Sequence, residues 1–444
     1  MKSIRIGTGA GYAGDRIDAA IHLIKKGELD YLVLECLAER TTALANLKRK
    51  ADSSKGYGPF LHERMVQLLP LCQQYGVTLI TNIGAANPEA AVHETNKIAS
   101  DLSLSGLKIV GVSGSNVLEQ IIKENVDIWE TGSKVSEVEA EIVSADAYLG
   151  VEAIIPALEQ LANVIITGRV ADPSLFLAPM IHELKWAHDD WHLLGQGTIC
   201  AHLLECGAQV TGGYYADGYK KQIQNLSKVG MPIVEMFEDG TGIISKTPDS
   251  GGEVSVSTCK EQLLYEVMNP AEYITPDVIA DFSEVEFLEL AKDQIQVLGG
   301  TGKPKTDTLK VTIGVDKGFI GESFIAYGGH HALERAEIAK QIIEERLHAH
   351  PDDYLELKFD FIGCNSLYHQ GTYNIPYELL LRVSGRTKTI KAASKIGEEV
   401  EALWLNGPGG PGGVRSFTRP IISAYSALLH RSFIQSKTFI LEVK

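Results

Sequence analysis

Two groups of residues in this sequence have the types and spacing to move a proton or hold an anion. The first is His202 and Glu205, three apart in the run Thr198-Ile199-Cys200-Ala201-His202-Leu203-Leu204-Glu205. On a helix that spacing puts both side chains on one face, where they can form an acid/base pair or bind a metal. The second histidine of H-E-x-x-H is missing, which argues against zinc; a buried structural hydrogen bond is the plain alternative. The second group is Arg169 and Asp172, in Thr167-Gly168-Arg169-Val170-Ala171-Asp172-Pro173. A guanidinium offers a planar fork suited to a carboxylate or phosphate, unless Arg169 and Asp172 simply pair with each other. Cys206 has no visible neighbour to lower its pKa and reads as a small core residue. The run Trp186 to His192 looks metal-like by composition, but Asp189 or Asp190 is expected to cap the next helix.

A third group lies at the start. Ile4-Arg5-Ile6 runs into Gly7-Thr8-Gly9-Ala10-Gly11-Tyr12-Ala13-Gly14-Asp15-Arg16, and an amphipathic helix follows. A strand, a glycine turn and a helix N-terminus together make an anion site, because unpaired backbone N–H groups and the helix dipole converge there. The spacing is not that of a dinucleotide fingerprint, and Glu35 is the only candidate ribose carboxylate. Gly9, Gly11 and Arg16 are therefore expected to contact an anionic substrate.

These turns need a frame. Strands at Ile4–Ile6, Tyr31–Leu34, Val77–Ile80, Leu107–Val112 and Asn163–Ile166 alternate with helical periods. That pattern predicts a doubly wound parallel sheet covered on both faces. All strand C-termini then share one edge, bringing the turns after Ile6, Ile80 (with Asn82) and Ile166 together beside the helix of His202 and Glu205. Past Gly212-Gly213-Tyr214-Tyr215-Ala216-Asp217 the texture changes to short alternating strands. Leu309–Ile313 and Phe319–Ala326 are expected as paired strands, His331–His348 as a helix, and Asn406 to Arg415 as a glycine-rich tip before a helical tail. The fold predicted is an α/β ligand-binding domain over 1–218 and a smaller α+β domain over 219–444, with the boundary between 219 and 283.

The 444 residues carry a formal net charge of -16, which argues against nucleic acid or an anionic membrane as a partner. Six cysteines without a C-x-x-C pair read as reduced thiols. No signal-like or bilayer-length apolar run occurs, so a cytoplasmic protein is expected.

Four long motifs carry a family resemblance: Gly9 to Arg16, Leu29 to Glu35, Thr167 to Leu175, and His202 to Tyr214. With Gly251-Gly252, Thr258 and Glu261-Gln262-Leu263-Leu264-Tyr265-Glu266, this chain resembles the acyclic terpene utilisation family AtuA over nearly its whole length. Pro248-Asp249-Ser250 departs from the shorter glycine-rich turn expected there. The resemblance implies catabolism of branched acids and their CoA thioesters. Larger members carry an extra C-terminal ferredoxin-like module, which makes a small ferredoxin-fold subunit a candidate partner.

Together these readings predict a catabolic enzyme, a homo-oligomer, acting on a branched or unsaturated carboxylic acid or acyl-CoA by hydration, dehydration or isomerisation. Glu205, His202 and Asp172 are the catalytic candidates. Arg169, Arg16, Gly9, Gly11, Asn82 and Tyr214 are the substrate-binding candidates. The sequence requires no cofactor; Asp15 and Asp217 are candidate ligands for a divalent cation. The rival is a non-catalytic subunit that binds an enzyme such as an acyl-CoA carboxylase, and it predicts a large exposed apolar patch.

Overall fold

Apolar runs too short for buried helices build the centre of this computed structural model, in which residues 1–367 and 376–444 are described. The chain runs β1 (Ser3–Ala10), α1 (Ile17–Lys26), β2 (Tyr31–Leu34), α2 (Glu39–Ala51), α3 (Leu61–Tyr75), β3 (Thr78–Thr81), α4 (Pro88–Asp101), β4 (Lys108–Ser113) and α5 (Leu118–Glu124). There follow β5 (Ile142–Ala147), α6 (Val151–Glu159), β6 (Val164–Thr167), α7 (Asp172–Leu184) and α8 (Trp191–Glu205). Asp190 caps α8, its Oδ1 accepting the Leu193 N–H at 3.1 Å.

Strands β1, β2, β3, β6 and β4 lie parallel in that order. Alternation along them feeds two cores. Ile4, Ile6, Val33, Ile80 and Ile165 pack with α6, α7 and α8, while Leu32, Leu34, Leu79 and Ile109 pack with α1, α3 and α4. Because β6 inserts between β3 and β4, the turn carrying Arg169 sits in the middle of the sheet edge.

The sheet is mixed rather than wholly parallel. Downstream come β7 (Pro232–Phe237), β8 (Gly242–Lys246), α9 (Val256–Leu263), β9 (Tyr273–Ile274), β10 (Ile279–Asp281), β11 (Glu286–Ala291), β12 (Gln294–Leu298) and β13 (Thr301–Lys303). Of these, β7, β8, β12 and β11 extend the sheet beyond β1 in antiparallel order. The run Glu253–Ser257, whose alternation of Val254 and Val256 with polar residues resembles a strand, instead leads into α9, with Ser255 as its cap: its Oγ accepts the Thr258 N–H at 3.3 Å.

The remaining elements are β14 (Thr308–Gly328), α10 (Ala332–His348), β15 (Glu356–Ile362), β16 (Glu378–Thr387), α11 (Ile390–Asn406), β17 (Pro411–His430) and β18 (Lys437–Glu442). Two compact units result: Met1–Gly314 with Ala424–Lys444, and Val315–Ser423. The interval 219–283 falls inside the first. The second has its own core, in which Ile325, Tyr327, Leu381 and Val383 meet Ala339, Ile343, Ile396 and Val400.

Two expectations fail here. Thr308–Gly328 is a single strand of 21 residues rather than a hairpin. Gly314 makes no turn; a Cβ there would lie 2.7 Å from that of Ala43 and 2.5 Å from Ser144 Oγ, so it is a packing glycine. The expected helical tail is also a strand of 20 residues, beginning at Pro411. Its Ile421, Ile422 and Tyr425 suit a pleated surface better than a helix.

On the far edge β18 pairs antiparallel with β4. Phe439 lies across Gly111, where a Cβ would come within 2.0 Å of its ring. No helix among the described residues is long and apolar enough to cross a membrane.

Candidate functional site

The opening strand runs four residues further than expected, so Gly7 and Gly9 belong to β1 and not to a turn. A Cβ on Gly7 would lie 2.6 Å from Leu23 Cδ2, and one on Gly9 would lie 2.5 Å from Leu34 Cδ2. Both glycines let leucines of α1 and β2 close over the strand. The turn proper is short and held from inside. Asp15 accepts the N–H groups of Gly11 (2.9 Å) and Arg16 (2.8 Å) through its two carboxylate oxygens. Buried Arg64 of α3 donates to Ala13 O (2.9 Å), Asp15 O (3.1 Å) and Cys36 Sγ (2.7 Å). Gly11 is needed because a Cβ there would meet the Cys206 carbonyl carbon at 2.5 Å. The first turn and the end of α8 thus touch, and Thr8 Oγ1 donates to Leu204 O at 2.9 Å beside them.

The turns after β3 and β6 meet in the same way. A Cβ on Gly84 would lie 2.6 Å from Thr167 O, and one on Gly168 would lie 2.8 Å from Ala85 O. Asn82, fully buried, links them to the end of β2: its Oδ1 accepts the Cys36 N–H (2.7 Å) and its Nδ2 donates to Glu35 Oε1 (3.0 Å). The Leu37 N–H donates to the same oxygen at 2.7 Å. Burial, and then the charge of Asp172, push the Glu35 carboxyl up to about 8, against the pull of Arg169.

Arg169 reaches this edge with its guanidinium turned inward and buried. Its Nε donates to Val170 O (2.8 Å), Nη1 to Leu37 O (2.5 Å), and Nη2 to Val170 O and to Asp172. The guanidinium carbon lies 4.4 Å from the centre of the Tyr148 ring. Lys310 Nζ lies 4.9 Å from that ring centre, and Tyr148 donates to Glu39 at 2.6 Å. Despite its burial, Glu39 is drawn down to about 2 by the Tyr148 hydroxyl, its own amide and Lys310. Asp172, part-buried at the start of α7, behaves oppositely. Burial raises it, Arg169 pulls it down, and Glu205 pushes it up again, leaving it at about 6. One buried cation therefore faces several carboxyls, and at neutral pH it balances only part of their charge.

The helical pair closes this edge. His202 Nδ1 and Glu205 Oε1 are 2.7 Å apart, and His202 Nε2 lies 3.1 Å from Gln262 O. A carbonyl oxygen only accepts, so Nε2 carries a proton, and one further proton lies between Nδ1 and Oε1. Gln262 Nε2 donates back to His202 O at 3.1 Å, fixing the ring from α9. Glu205 Oε2 is sealed from solvent and has no hydrogen-bond partner among the described residues. A carboxylate oxygen left so is costly unless a donor arrives.

Other candidates lie apart from this cluster. Arg16 donates to Ser227 O (3.1 Å) and Val229 O (3.2 Å) and pairs with Asp18. It lines a separate cleft of about 210 Å³ with His22, Lys228 and Asp249, away from Arg169, Asp172 and Glu205. Tyr214 is exposed and edge-stacked on Tyr265. Asp217 caps its own loop, accepting the N–H groups of Tyr219, Lys220 and Lys221. Among the described residues no three His, Cys, Asp or Glu side chains are grouped to hold a metal ion. The Cys206 thiol is pushed up by burial and then by the Glu205 charge, the opposite of a reactive thiol.

Over residues 4–440 the sequence matches the model of the acyclic terpene utilisation family protein AtuA. The chain belongs to that family. No curated protein and no solved structure matches it. In this AtuA-family chain the match takes in every element that carries the cluster.

Glu35, Arg64, Tyr148 and Glu39 were not singled out by residue spacing as parts of one site. Glu35 gives a direct check. It holds its proton more tightly folded (about 8) than at the ordinary value of 4.5, so folding takes up a proton between those values. Stability should therefore fall as pH rises through that window, by up to about 1.4 kcal/mol per pH unit. Glu35→Gln mimics the protonated acid and should flatten the profile. Urea unfolding of both proteins at pH 5, 6.5 and 8 measures it; parallel profiles would contradict the assignment.

Proposed function

We propose that this AtuA-family chain is an enzyme of acyclic terpene utilisation that moves a proton beside the carbonyl of a branched or unsaturated carboxylic acid or its CoA thioester. Hydration, dehydration and isomerisation all contain that step. The observation that carries the reading is the His202–Glu205 pair with its free Oε2, set beside Asp172 at the strand edge. A base needs an unoccupied lone pair, and Oε2 has one. When Oε2 takes a proton, the proton shared between Oε1 and Nδ1 settles on His202 Nδ1, leaving an imidazolium hydrogen-bonded to Glu205. A group held protonated near neutrality, as Glu35 is, supplies an acid on the same edge.

Arg169 serves in this reading as the fixed cation that keeps the carboxyls together, since its fork is already engaged by the protein. Lys310, partly exposed above Tyr148 and paired with Glu39 at 3.3 Å, is the cation that an incoming anion would share with Glu39. The test needs no knowledge of the full reaction. The protein is incubated in deuterium oxide with 3-methylbutanoyl-CoA, and mass spectrometry follows deuterium entering the α-carbon. Uptake above the protein-free rate is expected. Probe binding without uptake would leave the rival, a non-catalytic subunit, as the better reading.

A further inference from the structure

We infer that the Tyr273 hydroxyl is a further catalytic group of this site, the donor that holds the substrate's reacting oxygen while Glu205 Oε2 takes the proton. The inference rests on the proton-transfer reading above and names the residue that would polarise the carbonyl.

Tyr273 opens the short strand β9, and its ring is fixed from two sides. Its centre lies 5.2 Å from that of His202 and 5.1 Å from that of Phe282, and Phe282 itself lies 5.6 Å from His202. Two aromatic rings, Tyr273 and Phe282, thus wall one side of the His202–Glu205 pair. The Tyr273 hydroxyl has no hydrogen-bond partner among the described residues, and in a part-exposed residue it is open to a ligand. Glu205 Oε2 is likewise without a partner. A donor and an acceptor beside the same imidazole, neither taken by another described group, match a ligand that offers one oxygen and one acidic C–H.

The charge around the phenol decides its role. Burial, and then the charges of Glu205, Asp172, Cys206 and Glu266, hold Tyr273 protonated far above neutrality. It can donate a hydrogen bond but is not poised to lose its proton. Glu205 and Asp172, by contrast, offer carboxyl oxygens in the same place. Tyr273 and Asp172 are both part-exposed, whereas Oε2 is not, so a ligand meets the phenol before it meets the base.

The step balances without a co-reactant. The α-carbon–hydrogen bond breaks, its proton goes to Glu205 Oε2, and its electron pair moves into the carbonyl to leave negative charge on the oxygen. Tyr273 keeps its own proton and hydrogen-bonds to that oxygen, where the interaction is stronger than in the ground state. Return of the proton to the α-carbon gives exchange. Its return to a conjugated γ-carbon gives isomerisation.

Tyr273→Phe keeps the ring and both aromatic contacts and removes only the hydroxyl. In the deuterium-uptake assay with 3-methylbutanoyl-CoA the variant should exchange about 10²–10³ times more slowly, the usual cost of one oxyanion donor. Its melting temperature, and the rise in melting temperature caused by the probe, should match the unmodified protein. Wild-type exchange by Tyr273→Phe overturns the role of Tyr273 and leaves the proposed function standing. Slower exchange accompanied by an equal loss of thermal stability also overturns it, assigning the phenol to packing. An unmodified protein that binds the probe without exchanging it overturns both.

Discussion

Glu205→Gln is expected to slow deuterium uptake from solvent into 3-methylbutanoyl-CoA by about 10²–10⁴, the range that general acid–base catalysis contributes. The substitution is close to isosteric. A glutamine amide can donate to His202 Nδ1 while Nε2 still donates to Gln262 O, so the helix-to-helix link that now runs through the pair survives. What disappears is the titratable oxygen. The melting temperature should therefore hardly move. Equal exchange rates in the two proteins would remove Glu205 from the mechanism and turn attention to Asp172.

Arg169→Met should produce the largest loss of stability, about 1–3 kcal/mol for each buried acceptor left without its donor. The guanidinium is buried, and it is the only cation in direct contact with Asp172 among the described residues. Its loss also strands the carbonyls of Leu37 and Val170 and bares one face of Tyr148. A further sign is predicted. Without the cation, Asp172 and Glu35 hold their protons still more tightly in the folded state. Folded-state pKa values raised above the unfolded ones mean stability regained as pH falls. The gap between variant and wild type should thus narrow from pH 8 to pH 5 in urea unfolding. A gap independent of pH, or a variant as stable as wild type, would show that Arg169 balances no buried charge.

Local patterns carry far into this fold, and contacts between distant segments do not. The parallel strands are legible as apolar runs flanked by helical periods, and the contact of His202 with Glu205 is legible because three residues on a helix is a local geometry. The glycines are harder. Gly7 and Gly9 have the look of a turn, yet the reason for them is a neighbouring leucine supplied by α1 or β2. Glycine relaxes the backbone and also makes room, and a sequence does not separate these roles. Arg169 shows the same limit: its place at the strand edge follows from periodicity, but which way the guanidinium turns depends on Leu37 and Tyr148, far off in the chain. Glu35 reads as an ordinary residue after a strand, and only burial beneath Asn82 and beside Asp172 makes it an acid. The strand Pro411–His430 was hidden by its glycine-rich start, which resembles a loop tip until β14 is there to pair with it.

The pairing of β18 with β4 has a consequence for how the molecule is made. Ser113 and Lys437, neighbours across that ladder, are 324 residues apart in sequence. On a ribosome moving at about 5–20 residues per second, β4 waits roughly 15–65 s for its partner. Throughout that interval Val110 and Val112 sit in a strand whose outer backbone groups are unpaired, the kind of edge on which nascent chains associate. Gly111, bare until Phe439 arrives, weakens the strand's own propensity in the meantime. The sheet is thus finished long after its middle has been synthesised, and its yield in the cell depends on how that waiting edge is shielded.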